Sequence, residues 1–161
     1  MKSRRSFLGT AVGVGVLGIA GCSSGEEDAQ NPENGGDGSQ EQSFEIIDST
    51  RQVDEDQYLA QSFTLNDTAN IEVQMTVRKG PAIDVLTMSA DEFDHFENRE
   101  RFRYFPELSI EDGTGGSASG TLDPGEYVLV IDNTNAGEAQ PPTNFDDDLA
   151  RVEITAQATK V

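Results

Sequence analysis

The sequence predicts an all-β domain over residues 43–161, an antiparallel β-sandwich of about eight or nine short strands with one short helix. Residues 71–78 (IEVQMTVR) and 150–156 (ARVEITA) alternate between apolar and polar side chains, as strands with one buried face do. Residues 127–131 (YVLVI) are apolar throughout, which is typical of a central strand covered on both faces. We expect one core between two sheets, containing Val73, Met75, Leu129, Ile131, Val152 and Ile154.

Turn signals separate these segments from further, shorter strands. Asp123, Pro124 and Gly125 predict a turn just before residues 127–131, because proline presets φ and glycine tolerates a tight bend. The remaining predicted strands are 44–47, 58–65, 83–88, 101–105, 108–111 and 117–122.

The single predicted helix begins after Ser89. This serine is a suitable N-cap, and Glu92 three residues later completes the capping box S-x-x-E. Phe93 and Phe96 then lie on one helix face, where they can pack on a sheet. We expect the helix to end near Asn98.

Residues 1–21 have the pattern of a secretory signal. Lys2, Arg4 and Arg5 precede an apolar run over residues 7–21, which is shorter than the roughly 20 residues that span a bilayer. Residues 3–8 (SRRSFL) resemble the twin-arginine export signal, which is read by a receptor. Residues 19–22 (IAGC) resemble a lipobox, whose cysteine is lipidated after cleavage. The two motifs imply a lipid on Cys22 that holds the protein on the outer face of the cell membrane.

The predicted linker, residues 22–42, follows the anchor. Residues 23–42 hold six acidic residues, no basic residue and one small apolar residue, Ala29. Because this composition leaves nothing to bury, we expect a disordered acidic tether between the lipid and the domain at 43–161.

The chain is strongly acidic, with 30 Asp and Glu against 11 Lys and Arg. All the acids follow residue 21, so residues 22–161 carry a net charge of −22. This charge disfavours binding to nucleic acid or to anionic lipid headgroups. The acids are spread along the chain, which favours adaptation to high salt over a cation-binding function. Together with the export signal, these features resemble a lipoprotein of a salt-loving archaeon.

Residues 120–133 (GTLDPGEYVLVIDN) are similar to the L-x-x-G-x-Y hairpin of pre-peptidase C-terminal domains, and GOLD-like sandwiches share this pattern. Residues 84–86 (DVL) lie where those domains often have a similar strand. The resemblance is specific over residues 120–133 and loose over the rest of the chain. It implies a jelly-roll-like sandwich that serves as an accessory or adhesion module, and it transfers no catalytic residue.

Several chemistries are excluded by counting. Cys22 is the only cysteine and His95 the only histidine, so the domain has no disulfide and no thiol nucleophile. Zinc and copper sites need several nitrogen or sulfur ligands, which argues against both metals. A serine–histidine–aspartate triad would require His95, but the sequence lacks a G-x-S-x-G elbow. We therefore predict no catalytic residue and no cofactor.

Calcium is the alternative to a metal-free domain. Asp146, Asp147 and Asp148, together with Asp132 and Asn133, offer the hard oxygen ligands that Ca²⁺ takes. These residues lack the spacing of an EF-hand loop, and adjacent aspartates arise readily in so acidic a chain. The metal-free prediction is therefore the favoured one.

Basic residues are concentrated in one place, where Arg99, Arg101 and Arg103 alternate within five positions. On a strand they would form a row of guanidinium groups, with Phe102 and Tyr104 on the opposite face. The favoured interpretation is pairing with the abundant acids, which stabilises little. The site hypothesis is an anchor for carboxylate or sulfate groups of a surface glycan or a partner protein.

Two classes of function remain. The favoured one is a non-enzymatic surface module that binds a glycan, an envelope protein or a partner subunit. The alternative is a small extracellular hydrolase whose carboxylate pair the sequence does not single out. Asn66 begins the sequon Asn66-Asp67-Thr68 and is a candidate for surface glycosylation.

Replacing Cys22 by serine should release the protein into the medium, because the lipid supplies the whole membrane affinity and the acidic tether only repels anionic headgroups. Replacing Arg4 and Arg5 by lysine should instead keep the precursor inside the cell. Cell fractionation after a salt wash measures both results. Retention of the Cys22→Ser protein on washed membranes would show that no lipid anchor operates.

Overall fold

The computed structural model describes residues 42–140 and 148–161. The export signal, Cys22 and the tether up to residue 41 lie outside the described residues, so their predicted roles stay predictions. In chain order the elements are β1 (Ser43–Val53), β2 (Tyr58–Leu65), β3 (Ala69–Lys79), β4 (Ile83–Ser89), α1 (Ala90–Glu97), a 3-10 turn (Pro106–Leu108), β5 (Ile110–Gly113), β6 (Gly115–Leu122), β7 (Gly125–Asp132) and β8 (Ala150–Lys160).

The eight strands form two four-stranded antiparallel sheets. The first sheet has the order β1-β8-β3-β6 and the second the order β2-β7-β4-β5. Four hydrogen-bonded pairs are nested along the chain, because β1 pairs with β8, β2 with β7, β3 with β6 and β4 with β5. This nesting is the jelly-roll arrangement of a β-sandwich. The predicted all-β fold class, with one short helix, is confirmed.

The core lies between the facing sides of the two sheets. Buried and exposed residues alternate along β3 and β8, as the sequence pattern predicts for strands with one buried face. The six predicted core residues are all buried in one cluster: Val73, Met75, Leu129, Ile131, Val152 and Ile154. Each of them is at most 3% exposed, so the predicted inter-sheet core is confirmed.

The turn before β7 explains the hairpin motif in physical terms. The Tyr127 hydroxyl donates to the backbone carbonyl of Asp123 at 2.9 Å, which closes the turn across Pro124. A side chain at Gly125 would press on the Tyr127 ring, because a Cβ there would lie 3.2 Å from ring carbons. Glycine therefore lets the ring fold back over the turn, and Tyr127 stacks on Phe63 of β2 at a centroid distance of 5.6 Å.

The second sheet is buried on its outer face as well, and α1 forms much of the cover. Every residue of β7 from Tyr127 to Asp132 is buried, which confirms the prediction of a strand covered on both faces. A second apolar cluster lies on this outer face and contains Leu86, Met88, Phe96, Val128 and Val130.

The helix has the predicted start and end. The Ser89 hydroxyl accepts from the backbone N–H of Glu92 at 3.4 Å, and the helix runs from Ala90 to Glu97 with Asn98 as C-cap. The Glu92 carboxylate accepts from the backbone N–H of Arg103 at 2.8 Å, so this side chain ties the following segment to the helix. Phe96 is buried and Phe93 half-buried on the sheet side, as predicted.

The predicted strand at 101–105 is wrong, since these residues form an irregular segment. Their backbone groups make isolated hydrogen bonds and not the regular series that pairs two strands. The Phe105 N–H, for example, donates to the carbonyl of Thr87 at 2.8 Å. The predicted strand at 108–111 begins two residues late, at Ile110. Pro106, which lacks a backbone N–H, starts a 3-10 turn in its place.

Leu129→Ala should lower the free energy of unfolding by about 2–5 kcal/mol, because Leu129 is 1% exposed and its removal leaves a cavity between the sheets. Leu59→Ala is the matched control, since Leu59 on β2 is 38% exposed and should lose little. Urea denaturation measures both. Equal losses in the two variants would contradict the assignment of the core.

Candidate functional site

The arginine segment, defined as residues 99–103, leaves the C-terminus of α1 in a fixed conformation. Arg99 has a positive φ of 57°. Its N–H donates to the carbonyl of Phe96 at 3.1 Å, and the N–H of Glu100 donates to the carbonyl of His95 at 2.9 Å. These two bonds form a Schellman motif, in which glycine is the usual residue at the left-handed position. An arginine at this position is strained, because residues with a side chain disfavour a positive φ. The two hydrogen bonds of the motif hold this backbone conformation.

The alternation predicted for this segment is present although the strand is not. Arg101 and Arg103 are exposed, whereas Phe102 and Tyr104 are half-buried and pack against the second apolar cluster. The Phe102 ring meets the Phe96 ring edge to face at 5.1 Å. The aromatic side chains therefore fix the segment on the outer face of the second sheet and direct the arginines outward.

Phe102 divides the three arginines between two shallow depressions. Arg101 and Arg103 line one of about 580 Å³, together with Glu92 and His95. Arg99 lines the other, of about 480 Å³, and Tyr58, Phe96 and Glu100 are among its remaining residues. The structure therefore brings Arg101 and Arg103 together with His95 and sets Arg99 on the far side of the Phe102 ring.

None of the three guanidinium groups has a carboxylate within 4.0 Å among residues 42–140 and 148–161. The nearby acids have other partners. Glu92 accepts from the N–H of Arg103, Glu97 accepts from the Tyr58 hydroxyl at 2.9 Å, and Glu100 bonds His95 Nδ1 at 2.8 Å. The hydrogen bond to Glu100 raises the pKa of His95 above its ordinary value. This imidazole therefore adds positive charge beside Arg101 and Arg103 at a higher pH than an isolated histidine would.

A polar row crosses the end of the second sheet on its outer face. Tyr58 on β2 lies opposite Asp132 on β7, and Asp132 lies opposite Asp84 on β4. Side chains that are paired across strands point to the same face. Asp84 and Asp132, here called the aspartate pair, are both 0% exposed. Sequence reasoning missed Asp84, because a single aspartate at the start of an apolar strand carries no signal until the register is known.

Hydrogen bonds from β5 and from the loop that follows β7 hold the aspartate pair. The Asp84 carboxylate accepts from the N–H of Asp112 at 2.7 Å and from the N–H of Ala139 at 2.9 Å. Asp132 Oδ1 accepts from the N–H of Thr134 at 2.9 Å. Burial raises the pKa of both carboxyl groups, and the charge of Asp84 adds to the rise at Asp132. Both carboxyl groups therefore hold a proton more readily than an exposed aspartate does, although hydrogen bonds from neighbouring N–H groups lower the two pKa values in part.

The predicted calcium ligands do not form one site among the described residues. Asp146 and Asp147 lie outside them. The Asn133 amide donates to the carbonyls of Val53 at 3.2 Å and Asp148 at 3.0 Å, which joins three chain segments through backbone atoms. Asp132 is the last residue of β7, and its carboxylate bonds the N–H of Thr134 and none of the groups that Asn133 joins. Among the described residues, no three histidine, cysteine, aspartate or glutamate side chains converge as metal ligands do.

Two further sequence features fall on the surface. Asn66 is exposed in the turn between β2 and β3, where a glycan has room, and its modification stays a prediction. In the part of the chain that the structure describes, no helix has the length and apolar character needed to cross a bilayer.

Comparison with known proteins finds similarity among solved structures. No family model matches the chain, and no curated protein matches it. Among solved structures, the chain is similar to the pre-peptidase C-terminal domain of a collagenase from Bacillus anthracis, with 12% identity and a TM-score of 0.41. The match covers 67% of this chain and 89% of that domain. The strand order of this chain by itself defines the sandwich.

Glu100→Gln should lower the pKa of His95 toward its ordinary value, because the hydrogen bond to the Glu100 carboxylate is the main cause of the rise. An NMR titration of the imidazole measures the shift. Glu126→Gln removes an equal charge from an exposed position on β7 and should leave the pKa of His95 unchanged. Identical His95 titrations in the wild-type and Glu100→Gln proteins would contradict the described contact.

Proposed function

We propose that residues 43–161 form a non-enzymatic binding module, held on the outer face of the cell membrane by a lipid on Cys22. Arg99, Arg101 and Arg103 are its contact with carboxylate or sulfate groups of a surface glycan or a partner protein. The resemblance of residues 120–133 to the hairpin of pre-peptidase C-terminal domains motivates the accessory role. The arginine segment supplies the chemistry.

The observation that carries the proposal is that three arginines without an ion pair lie in a segment whose aromatic side chains fix it on the outer face of the second sheet. Arg51, Lys79 and Arg151 also lack an ion pair among the described residues, so the anchored aromatic side chains distinguish the arginine segment from them. Among the residues that the structure describes, each guanidinium is exposed and lies more than 4.0 Å from any carboxylate. Glu92, Glu97 and Glu100 each bond another group, and none of them lies within 4.0 Å of a guanidinium nitrogen. The guanidinium groups therefore keep their donors for an incoming anion.

Guanidinium groups suit anions in concentrated salt better than ammonium groups do. Their planar donors bind a carboxylate or sulfate in a bidentate manner, and they are more weakly hydrated. At about 1 M salt the Debye length is roughly 3 Å, so only such short, directional contacts persist. The half-buried Phe102 ring between the two depressions offers an apolar surface beside the charges.

The hydrolase alternative receives no support from the described residues. A glycosidase needs two carboxylates that flank a bound substrate. The aspartate pair is the one register-paired set of fully buried carboxylates among the described residues, and both members are 0% exposed beneath the loop that follows β7. A substrate cannot reach them without opening that loop, so the pair does not provide an active site in this conformation.

Replacing Arg99, Arg101 and Arg103 together by glutamine should remove most binding to dextran sulfate and to polygalacturonate at high salt, because the bidentate donors are lost. The matched control replaces Arg51, Lys79 and Arg151 by glutamine. These three residues are exposed on the first sheet, and the change in net charge is identical. Biosensor binding of the full chain, with neutral dextran as the blank surface, measures the effect.

Comparison of the two triple variants decides whether the arginine segment is the binding site. Loss of binding in the first variant and retention in the control support the arginine segment as the site. Equal loss in both would indicate a general charge effect, and equal binding in both, or no binding by the wild-type protein, would overturn the proposal.

A further inference from the structure

We propose that two copies of this chain associate through the free edge of β2. In this dimer β2 of one copy pairs antiparallel with β2 of the other, about a two-fold axis at Gln61. The proposal concerns a surface distant in sequence from the arginine segment and does not depend on the function proposed above. It gives a partner to an edge strand that lacks the usual protection against pairing.

Backbone groups of β2 are free to pair with another strand. β2 ends the second sheet and has one hydrogen-bonded neighbour, β7, among the described residues. The Asn133 N–H donates to the carbonyl of Gln57 at 3.0 Å, which places the hydrogen-bonded pairs with β7 on the odd-numbered residues of β2. The N–H and C=O groups of even-numbered residues such as Ser62 therefore point away from β7. The Gln61 side-chain amide donates to the Ser62 carbonyl at 3.2 Å, which agrees with this direction.

The edge is neutral although the chain is strongly acidic. No charged residue lies between Asp56 and Asp67, so the whole of β2 is uncharged in a chain with 30 Asp and Glu. Edge strands are commonly protected from pairing by charged side chains, proline or a β-bulge. β2 has none of these, and its register with β7 is continuous from Tyr58 to Leu65. Two acidic copies can therefore approach here without placing like charges together, most readily in concentrated salt.

The other edge strands among the described residues are less suited to pairing. β1 carries Glu45, Asp48 and Arg51, and its register shifts between Glu45 and Ile47 as in a β-bulge. β6 contains three glycines, which weaken a strand. β5 is only four residues long. The contrast indicates that β2 is the edge at which another strand adds.

An apolar opening between the two sheets lies beside β2. Ile47 of β1, Leu59 of β2 and two core residues of β7, Leu129 and Ile131, are among its lining residues. Leu59 is 38% exposed, whereas most large apolar side chains of the sandwich are buried. A further strand beside β2 would cover this opening and remove the Leu59 side chain from water, which favours association.

A register centred on Gln61 makes the edge complementary to itself. Ala60 of one copy then lies opposite Ser62 of the other, and both residues direct their backbone groups outward, so each such pair can exchange two hydrogen bonds. Leu59 of one copy lies opposite Phe63 of the other, which is a favourable cross-strand pair. The two-fold axis uses both β2 edges at once and leaves neither free.

The chain's own tether is a poorer occupant of this edge. Residues 23–42 hold six acidic residues together with proline and several glycines, all of which are depleted in strands. A strand that adds to β2 needs a neutral sequence with an apolar side chain beside Leu59. The β2 edge of a second copy meets both requirements.

Sedimentation velocity in concentrated NaCl tests the association on the full chain carrying Cys22→Ser, which cannot be lipidated. The weight-average sedimentation coefficient should rise with protein concentration from the monomer value toward the dimer value. Ser62→Pro should remain monomeric over the same range, because proline lacks the outward N–H and leaves the odd-numbered bonds to β7 in place. Ser62→Ala keeps that N–H and is the matched control, which should associate as the parent chain does. A parent chain that stays monomeric at every concentration, or unchanged association of Ser62→Pro, would overturn the proposal.

Cysteine cross-linking tests the register without a proline. Gln61 faces its counterpart across the axis in a pair without hydrogen bonds, where the two Cα atoms are about 4.5 Å apart and within reach of a disulfide. In the Cys22→Ser chain, Gln61→Cys should therefore give a disulfide-linked dimer on mild oxidation. Gln74→Cys is the matched control, since Gln74 is exposed on β3, an inner strand of the first sheet, and should stay monomeric. Absence of cross-linking at position 61, or equal cross-linking at both positions, would contradict the proposed pairing.

Discussion

The burial of β7 on both faces is the constraint on which the rest of the domain depends. Its residues Tyr127, Leu129 and Ile131 pack between the sheets, and Val128 and Val130 pack beneath α1 and the segment that follows. A sandwich of about 119 residues has little apolar surface to spare, so a third layer on one sheet adds burial that two sheets alone would lack. Phe96, Phe102 and Tyr104 supply this layer, and their positions determine where the exposed side chains between them lie.

The positions of the arginine segment and of the aspartate pair both follow from that third layer. The arginine segment is held because its alternate aromatic side chains are anchored on the outer face, which leaves the arginines outside. The aspartate pair is buried because the same face continues to the ends of β4 and β7, where the next loop covers it. The arginine segment therefore lies on the surface of the layer, while the aspartate pair lies beneath the loop that continues it.

Much of the fold could be predicted from local patterns. Strict alternation located β3 and β8, and a capping serine located the start of α1. The segment at 101–105 was mistaken for a strand because alternation reports only which side is buried, and an irregular segment lying on a sheet alternates as well. The aspartate pair could not be predicted, since it depends on the register between β4 and β7, which are about 40 residues apart in the chain.

Native-state amide hydrogen exchange tests the central claim, that β7 is covered on both faces, most directly. The account predicts that amides of β4 and β7 exchange only through global unfolding, while those near the ends of β1 and β6 exchange through smaller openings. Amides from Val128 to Ile131 should then share one free energy of opening, equal to the free energy of unfolding from denaturant titration. Faster exchange at Val128 and Val130 than along β8 would show that the outer layer is not a stable part of the fold and would contradict the account.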